Sequence, residues 1–529
     1  MGNEGIYAFV VIMKLKRQSL VPPGTVSRML QAAEQAWQVR DFQQCVETLE
    51  RASRLAPSNT DVLLQLGRVY GLRYNYAAAE RCFERALRFA PRKTEMLKAV
   101  VNHCNSFHNP DVIERYLRLM VDQSDCVPET LIQLAELYER LHRLPIATQL
   151  VEQALKLNPA DPAALLVRAR MERQAGRLET AEQVLRAFIT RPNLDTWVHA
   201  QAWYELGNVL DRQKRFDEAM SAFLKAKTLM RPQADKHLAD LKVLRARLRV
   251  MEANVSSELF KRWFDARSEL APTRRLALLC GHARSGTTLL EQVLDAHPDI
   301  VSVEETNNFV DDAYAPLTRS LPPDAYMLPV LEAASIQALQ QARTTYFRSM
   351  ELAIGTPIAG RLLVDKNPDH TFLIPAFIRI FPETKFLVTM RDPRDVVLSC
   401  FMQPQQLNAV KAAFLSLEGT AENYAGAMSI WQTLAPLMPS PYLEIRYEDM
   451  VDDLESVARK TLDFLGVAWD AKVLGFDEHA RKRMVRSPSY ADVTQPLYKR
   501  ARGRWRNYQK YLEPHLPKLA PFIKAFGYD

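Results

Sequence analysis

The chain is 529 residues long, with 47% hydrophobic and 25% charged residues and a formal net charge of +7. That length predicts two or three domains, and that composition excludes a disordered chain. The mild positive charge, without a basic tract, permits an anionic ligand but argues against a nucleic-acid partner.

The N-terminus carries an apolar run, Ile6 to Met13, too short to span a bilayer. Basic residues follow the run instead of preceding it, the wrong order for a signal peptide, so a frayed start and no membrane span are expected. Cys45, Cys82, Cys104, Cys126, Cys280 and Cys400 lie far apart with no C-x-x-C pair, and no H-E-x-x-H occurs. This excludes a zinc site and a disulfide framework and points to a reducing, cytoplasmic compartment.

The first half reads as a repeat array. Leu66, Gly67, Tyr70, Ala79, Phe83, Ala86 and Pro91 fall at offsets that recur in Trp203, Leu206, Gly207, Ala219, Phe223 and Ala226. They recur partly in Ala135, Tyr138, Ala147, Ala154 and Pro159, in Ala169 and Ala181, and in Ala52 with Pro57. The cleanest step, Ala135 to Ala169, is 34 residues. Small residues where two helices cross, large ones opposite and proline at the exit predict stacked antiparallel helix pairs. The pattern resembles the tetratricopeptide repeat, whose arrays present a groove to a protein or peptide. Residues 93–126 break the pattern and are expected to form a degenerate unit. Lys236 to Val255 reads as a last, basic helix, and the domain boundary is placed near 260–272. The expected domains are therefore 22–260 and 273–529.

In the second half, Leu276 to Cys280 predicts a buried strand, Gly281 and Gly286 bracket a turn, and a helix begins at Thr287. Strand, glycine turn and helix make a phosphate cradle, because the first helical N–H groups lack internal partners. The spacing Gly281-x4-Gly286-Thr287-Thr288 is nearly a nucleotide P-loop, but Thr287 replaces its lysine and Arg284 lies inside the loop. The alternatives are a nucleotide kinase site, against which the missing lysine counts, and an ordinary strand-to-helix turn. The stretches Leu362 to Pro368, Lys385 to Met390 and Tyr442 to Asp449 predict further strands that run into charged residues. Strands alternating with helices predict an α/β domain with a central parallel sheet and ligands at the strand carboxyl ends. Asp392, Arg394 and Asp395 admit a solvated charge network, and Glu304 a structural pairing.

Taken in order, these residues resemble the sulfotransferase family that uses 3′-phosphoadenosine 5′-phosphosulfate, with the nearest likeness in its tyrosylprotein sulfotransferase branch. The likeness covers roughly residues 275–510, and its union with the repeats is similar to the bacterial tetratricopeptide-repeat sulfotransferases. It implies an α/β P-loop-like fold and sulfuryl transfer from that donor, without a metal, to an acceptor hydroxyl, foremost a protein tyrosine. It also implies roles. Arg284, Ser285, Gly286, Thr287 and Thr288 would hold the 5′-phosphosulfate, and Arg391 and Ser399 the 3′-phosphate. Tyr447 would contact the nucleotide. Ser489 to Tyr498 would form a flap over it, followed by Arg504. Glu305 would be the general base. Lys366 and Ser489 would stabilise the leaving oxygen, and Arg284 would offset charge.

The likeness has gaps. Asn307 and Asp311 stand where the animal enzymes carry arginines for an acidic peptide, and Gln403 replaces a cofactor arginine. Ser302 and Val364 occupy the sites of the family's disulfide. Carbohydrate, lipid or small phenolic acceptors, and a non-catalytic repeat scaffold with a nucleotide-binding relic, stay open at this point.

Overall fold

The structure, a computed structural model, describes residues 24–123, 127–319, 326–485, 487 and 490–529. The apolar run Ile6 to Met13, Cys126 and the expected site residue Ser489 lie outside them. The chain divides into two compact units: Met1–Cys126 with Arg348–Gly355, and Val127–Phe347 with Thr356–Asp529. Among the described residues no helix is long and apolar enough to cross a membrane.

The first unit holds three helix pairs: α1 Thr25–Gln38 with α2 Phe42–Leu55, α3 Thr60–Leu72 with α4 Tyr76–Phe89, and α5 Lys93–Cys104 with α6 Pro110–Val121. Asp41, Asn59, Asn75 and Asn109 start helices by accepting hydrogen bonds from backbone N–H groups two or three residues on. The crossing of α3 and α4 shows why the small–large spacing repeats. A Cβ on Gly67 would lie 2.4 Å from the Phe83 ring, so only glycine lets the ring close the gap. Residues 93–123 correct an expectation, because α5 and α6 form a regular pair and not a degenerate one. Val101, Ile113 and Met120, all buried, stand at the offsets of Gly67, Ala79 and Ala86. Larger side chains fill the same interface, which hides the signature without changing the packing.

The second unit begins with three more pairs: α7 Pro128–Arg140 with α8 Leu144–Leu157, α9 Pro162–Gln174 with α10 Leu178–Ile189, and α11 Thr196–Arg212 with α12 Phe216–Met230. Here Gly207 meets Phe223 as Gly67 meets Phe83, since a Cβ on Gly207 would lie 2.6 Å from the ring. The expected basic helix is α13, Asp235–Asn254, and a short α14, Ser257–Asp265, leads to the sheet.

Lys227 on α12 is buried, with its ammonium 5.1 Å from the Tyr204 ring centre and 4.9 Å from that of Phe401. Burial pushes this lysine down to about 7. The unfolded chain takes up the proton near the ordinary lysine value and the folded chain only near 7. Stability therefore falls as pH drops between those two values and is level below them. Lys227→Met is expected to raise the melting temperature at neutral pH and to flatten its rise toward alkaline pH, as thermal melts across that window will show.

The sheet has five parallel strands in the order β2-β3-β1-β4-β5: β1 Leu276–Gly281, β2 Ile300–Glu304, β3 Leu362–Lys366, β4 Lys385–Met390 and β5 Tyr442–Arg446. Four of these strands were expected. The unexpected β2 is a five-residue edge strand with Ser302 in its middle, a short interrupted run that carries little apolar pattern. Ala277, Leu279, Val364, Leu387 and Ile445 pack against Leu290, Val293 and Leu294 of α15, Thr287–Asp295. From β1 the chain steps to β2 and β3 on one side, then crosses to β4 and β5 on the other. The order thus reverses between β1 and β4, and a crevice opens there at the strand carboxyl ends.

Candidate active site

The loop from β1 to α15 lies at that reversal. Gly281 has φ 133°, and a Cβ there would sit 2.5 Å from the Thr389 carbonyl oxygen. Gly286 has φ 101°, and its Cβ would sit 2.8 Å from the Tyr447 ring. Both positions thus need glycine for conformation and for space. Thr371 Oγ1 accepts from the Gly281 N–H at 2.9 Å and donates to its carbonyl at 2.7 Å, fixing the strand end. Ser285 Oγ is buried, donates to the His282 carbonyl at 2.5 Å and lies 2.9 Å from Thr389 Oγ1. Its hydroxyl braces the loop from within. Helix α15 starts with no side-chain cap, which leaves its first N–H groups directed at the loop.

Two arginines close the crevice. Arg284, itself at φ 70°, donates from Nε to Ser399 Oγ at 3.1 Å. Arg391, the first residue after β4, donates to the Arg284 carbonyl at 3.0 Å and to the Ala501 carbonyl at 2.6 Å, and lies 4.8 Å from the centre of the Tyr447 ring. Its Nε is buried and has no hydrogen-bond partner among the described residues. A buried guanidinium N–H without a protein acceptor, a second arginine, a hydroxyl and a helix start together fit a phosphorylated ligand. Arg284, Arg391, Ser399 and Tyr447, distant in the chain, are brought together here.

A second cluster forms where β2 and β3 end. Glu304 and Lys366 are register partners, so the lysine emerges beside the glutamates. Lys366 Nζ lies 2.8 Å from Glu305, 3.2 Å from Glu304 and 3.4 Å from Glu291, with its side chain 0% exposed. Burial pulls the ammonium down, but the three carboxylates outweigh it and hold its pKa above the ordinary lysine value. Burial likewise pushes Glu305 up, yet Lys366, with Lys411 and Arg284 behind it, holds this carboxyl below its usual range. Glu291 is pushed up by burial, against the pull of Lys366. Glu305 is 44% exposed and its backbone sits at φ 48°, a strained conformation locked by its N–H bond to the Lys366 carbonyl at 2.8 Å. An ionised, accessible carboxylate beside a buried cation can accept a proton from a hydroxyl.

The remaining expected residues fall as follows. Thr287 and Thr288 are buried in the first turn of α15, and Thr288 Oγ1 donates to Ser487 Oγ at 3.1 Å. Tyr498 carries Arg500 over its ring at 3.9 Å, and burial, then Asp492 and Tyr447, push its phenol up. Arg504 is paired through its Nη2 with Asp211 of α11 at 2.9 Å. Glu304 makes the structural pairing weighed above, since it also accepts from the Ser487 N–H at 3.0 Å.

Sequence reasoning missed four groups. Glu291 gives no local signal, because its partner Lys366 comes from a distant strand. Lys411 adds positive field at Glu305 from the start of a short 3-10 helix, Lys411–Leu415, that carries no motif. Asp395 is buried and accepts from the Gly503 and Trp505 N–H groups at 2.7 and 2.8 Å, so the solvated network allowed for Asp392, Arg394 and Asp395 is an internal brace. Asp211 lies in the repeats, where no motif marks it.

Residues 277–471 match the sulfotransferase family, and residues 60–90, 132–196 and 194–234 match tetratricopeptide repeats. The chain is 25% identical over 401 residues to an uncharacterized protein of Aquifex aeolicus, covering 74% of this chain and 50% of that protein. It thus spans about half the length of that relative. It is 26% identical to protein-tyrosine sulfotransferase 2 of Gallus gallus, over 48% of this chain and 69% of the relative. The figures for protein-tyrosine sulfotransferase A of Caenorhabditis elegans are 25%, 47% and 66%. Among solved structures, the sulfotransferase domain of the Synechococcus PCC 7002 olefin synthase is 21% identical, with a TM-score of 0.34 over 45% of this chain and 88% of that one.

Proposed function

From a sulfotransferase-family domain at residues 277–471 joined to tetratricopeptide repeats, we propose that the chain moves a sulfuryl group from 3′-phosphoadenosine 5′-phosphosulfate to an acceptor hydroxyl, a protein tyrosine foremost. The observation that carries this is the pairing of the Glu305–Lys366 cluster with a two-arginine phosphate crevice at the sheet's reversal point. Arg284 and the first N–H groups of α15, from Gly286 through Thr288, would hold the 5′ side of the donor. Arg391 and Ser399 would hold the 3′-phosphate, with Tyr447 and Tyr498 beside the nucleotide. When bound, the donor supplies the sulfuryl group and a phosphate oxygen as leaving group.

The protein's own contribution is positional and electrostatic. Glu305 takes the proton of the acceptor hydroxyl at its carboxylate. Lys366 keeps that carboxylate ionised and faces it toward the loop. Arg284 places positive charge between the two clusters. The repeats of the first unit are assigned the recruitment of a protein or peptide, for which α1, α2 and α3 leave a cavity of about 330 Å³ lined by Leu30, Gln31, Glu34, Asp61 and Arg68.

Calorimetry with 3′-phosphoadenosine 5′-phosphate tests the donor. Wild type is expected to bind it, and Arg391→Ala to bind it at least roughly thirtyfold more weakly, since removing one partner of a buried charged contact costs a few kcal/mol. A folded wild type that does not bind the nucleotide would sink the proposal.

A further inference from the structure

The repeats of the second unit do not leave their first helices bare. Tyr490 donates to Glu139 of α7 at 2.5 Å, Gln174 of α9 reaches its hydroxyl at 3.4 Å, and Arg140 lies 5.3 Å from its ring centre. Asp211, near the end of α11, is 2.9 Å from Arg504 Nη2 and accepts from the Tyr508 hydroxyl at 2.6 Å. Tyr508 also meets Phe216 edge to face at 5.5 Å. Three successive helix pairs therefore grip one C-terminal stretch of the same chain.

That stretch is bonded to the phosphate crevice on its other side. The Ala501 carbonyl orients Arg391, while Asp395, on the helix that carries Ser399, takes the Gly503 and Trp505 N–H groups. Arg394 of the same helix lies 4.1 Å from the Trp505 ring centre. Arg391 thus has its two terminal nitrogens fixed by Arg284 and Ala501, with its buried Nε left for a ligand. Arg504 and Tyr508, three and seven residues beyond Ala501, are held in turn by Asp211.

We propose that Asp211 is a positioning residue of the donor site, and that the repeat helices α11 and α12 complete that site by holding the 501–508 segment against Arg391. The inference rests on the donor assignment made above. It gives these repeats an intramolecular role, distinct from partner recruitment. A guanidinium fork binds phosphate well only when it is held in register, so loosening its carbonyl partner lowers affinity without touching the ligand.

The test uses the full-length chain and 3′-phosphoadenosine 5′-phosphate as the probe, with calorimetry and a thermal melt for each variant. Asp211→Ala is expected to weaken binding roughly tenfold, and Tyr508→Phe, which deletes one hydroxyl and keeps the ring, roughly threefold. Asp217→Asn loosens the same junction at Tyr511 and at Lys510, whose ion pair lies exposed. It is expected to leave affinity within about twofold, as an exposed ion pair contributes little. Wild-type affinity in folded Asp211→Ala and Tyr508→Phe overturns the inference while leaving the donor assignment intact. An equal loss in Asp217→Asn also overturns it, since any loosening of the junction would then suffice. No binding by the wild type removes the donor assignment, and this inference with it.

Discussion

Glu305→Gln is expected to lower turnover by about a hundred- to ten-thousand-fold and to leave the affinity for 3′-phosphoadenosine 5′-phosphate within about twofold. The substitution keeps the shape and the hydrogen bond from Lys366 but removes the lone pair that takes the proton. The donor contacts proposed above lie on Arg284, Arg391 and Ser399, none of which is hydrogen-bonded to Glu305. The pH profile carries a second signature. Because Lys366 at 2.8 Å holds the Glu305 carboxyl below its usual range, the base stays ionised at neutral pH. The wild-type rate should therefore fall only well into acid, below the ordinary carboxylate value. Single-turnover sulfuryl transfer to a tyrosine peptide and a simple phenol, measured with pH, provides the check. Wild-type turnover in Glu305→Gln removes the residue from its role.

Lys366→Met is expected to act on stability as well as rate. Removing one partner of a buried ion pair leaves the others uncompensated, typically at a cost of about 3–5 kcal/mol. Here one ammonium serves Glu291, Glu304 and Glu305, and Glu291 is almost fully buried. Urea denaturation should show the loss as a lower midpoint. Lys366→Met with Glu291→Gln should recover part of it, because one of the stranded charges has gone. Any residual activity should have its acid limb moved upward, since Glu305 would lose its counter-charge. A midpoint and a pH profile both unchanged would mean that the cluster carries neither effect.

Much of this molecule is written in local pattern. The helix pairs follow from small–large spacing that one chain segment carries by itself: Gly67 with Phe83, and Gly207 with Phe223, sit a fixed number of residues apart. The loop after β1 is equally local, since Gly281 and Gly286 bracket it within six residues and a strand and helix flank it. Four strands announced themselves as short apolar runs ending in charge. Where size replaced pattern the signal failed. Val101, Ile113 and Met120 pack as regularly as the residues they replace, yet break the signature. The edge strand β2 failed similarly, with Ser302 interrupting five residues.

Resemblance in residue order picked out Arg284, Glu305, Lys366, Arg391, Ser399 and Tyr447, and chain spacing alone could not show that they meet. Their meeting is a matter of sheet order. The register that sets Glu304 beside Lys366, and the reversal that sets the 282–286 loop beside Arg391, exist only once five strands pair. Charge states follow the same rule. Glu291 and Lys366 look like ordinary helix and strand-end residues until burial brings them within 3.4 Å of each other. Asp211 is the extreme case. On its helix it is one of two acidic residues, and only the docking of a segment almost three hundred residues later gives it Arg504 and Tyr508 as partners. Local propensity and periodicity decide which elements form, because they depend on neighbours in the chain. Which charges share a low-dielectric space, and which carbonyl orients which guanidinium, depends on neighbours across it.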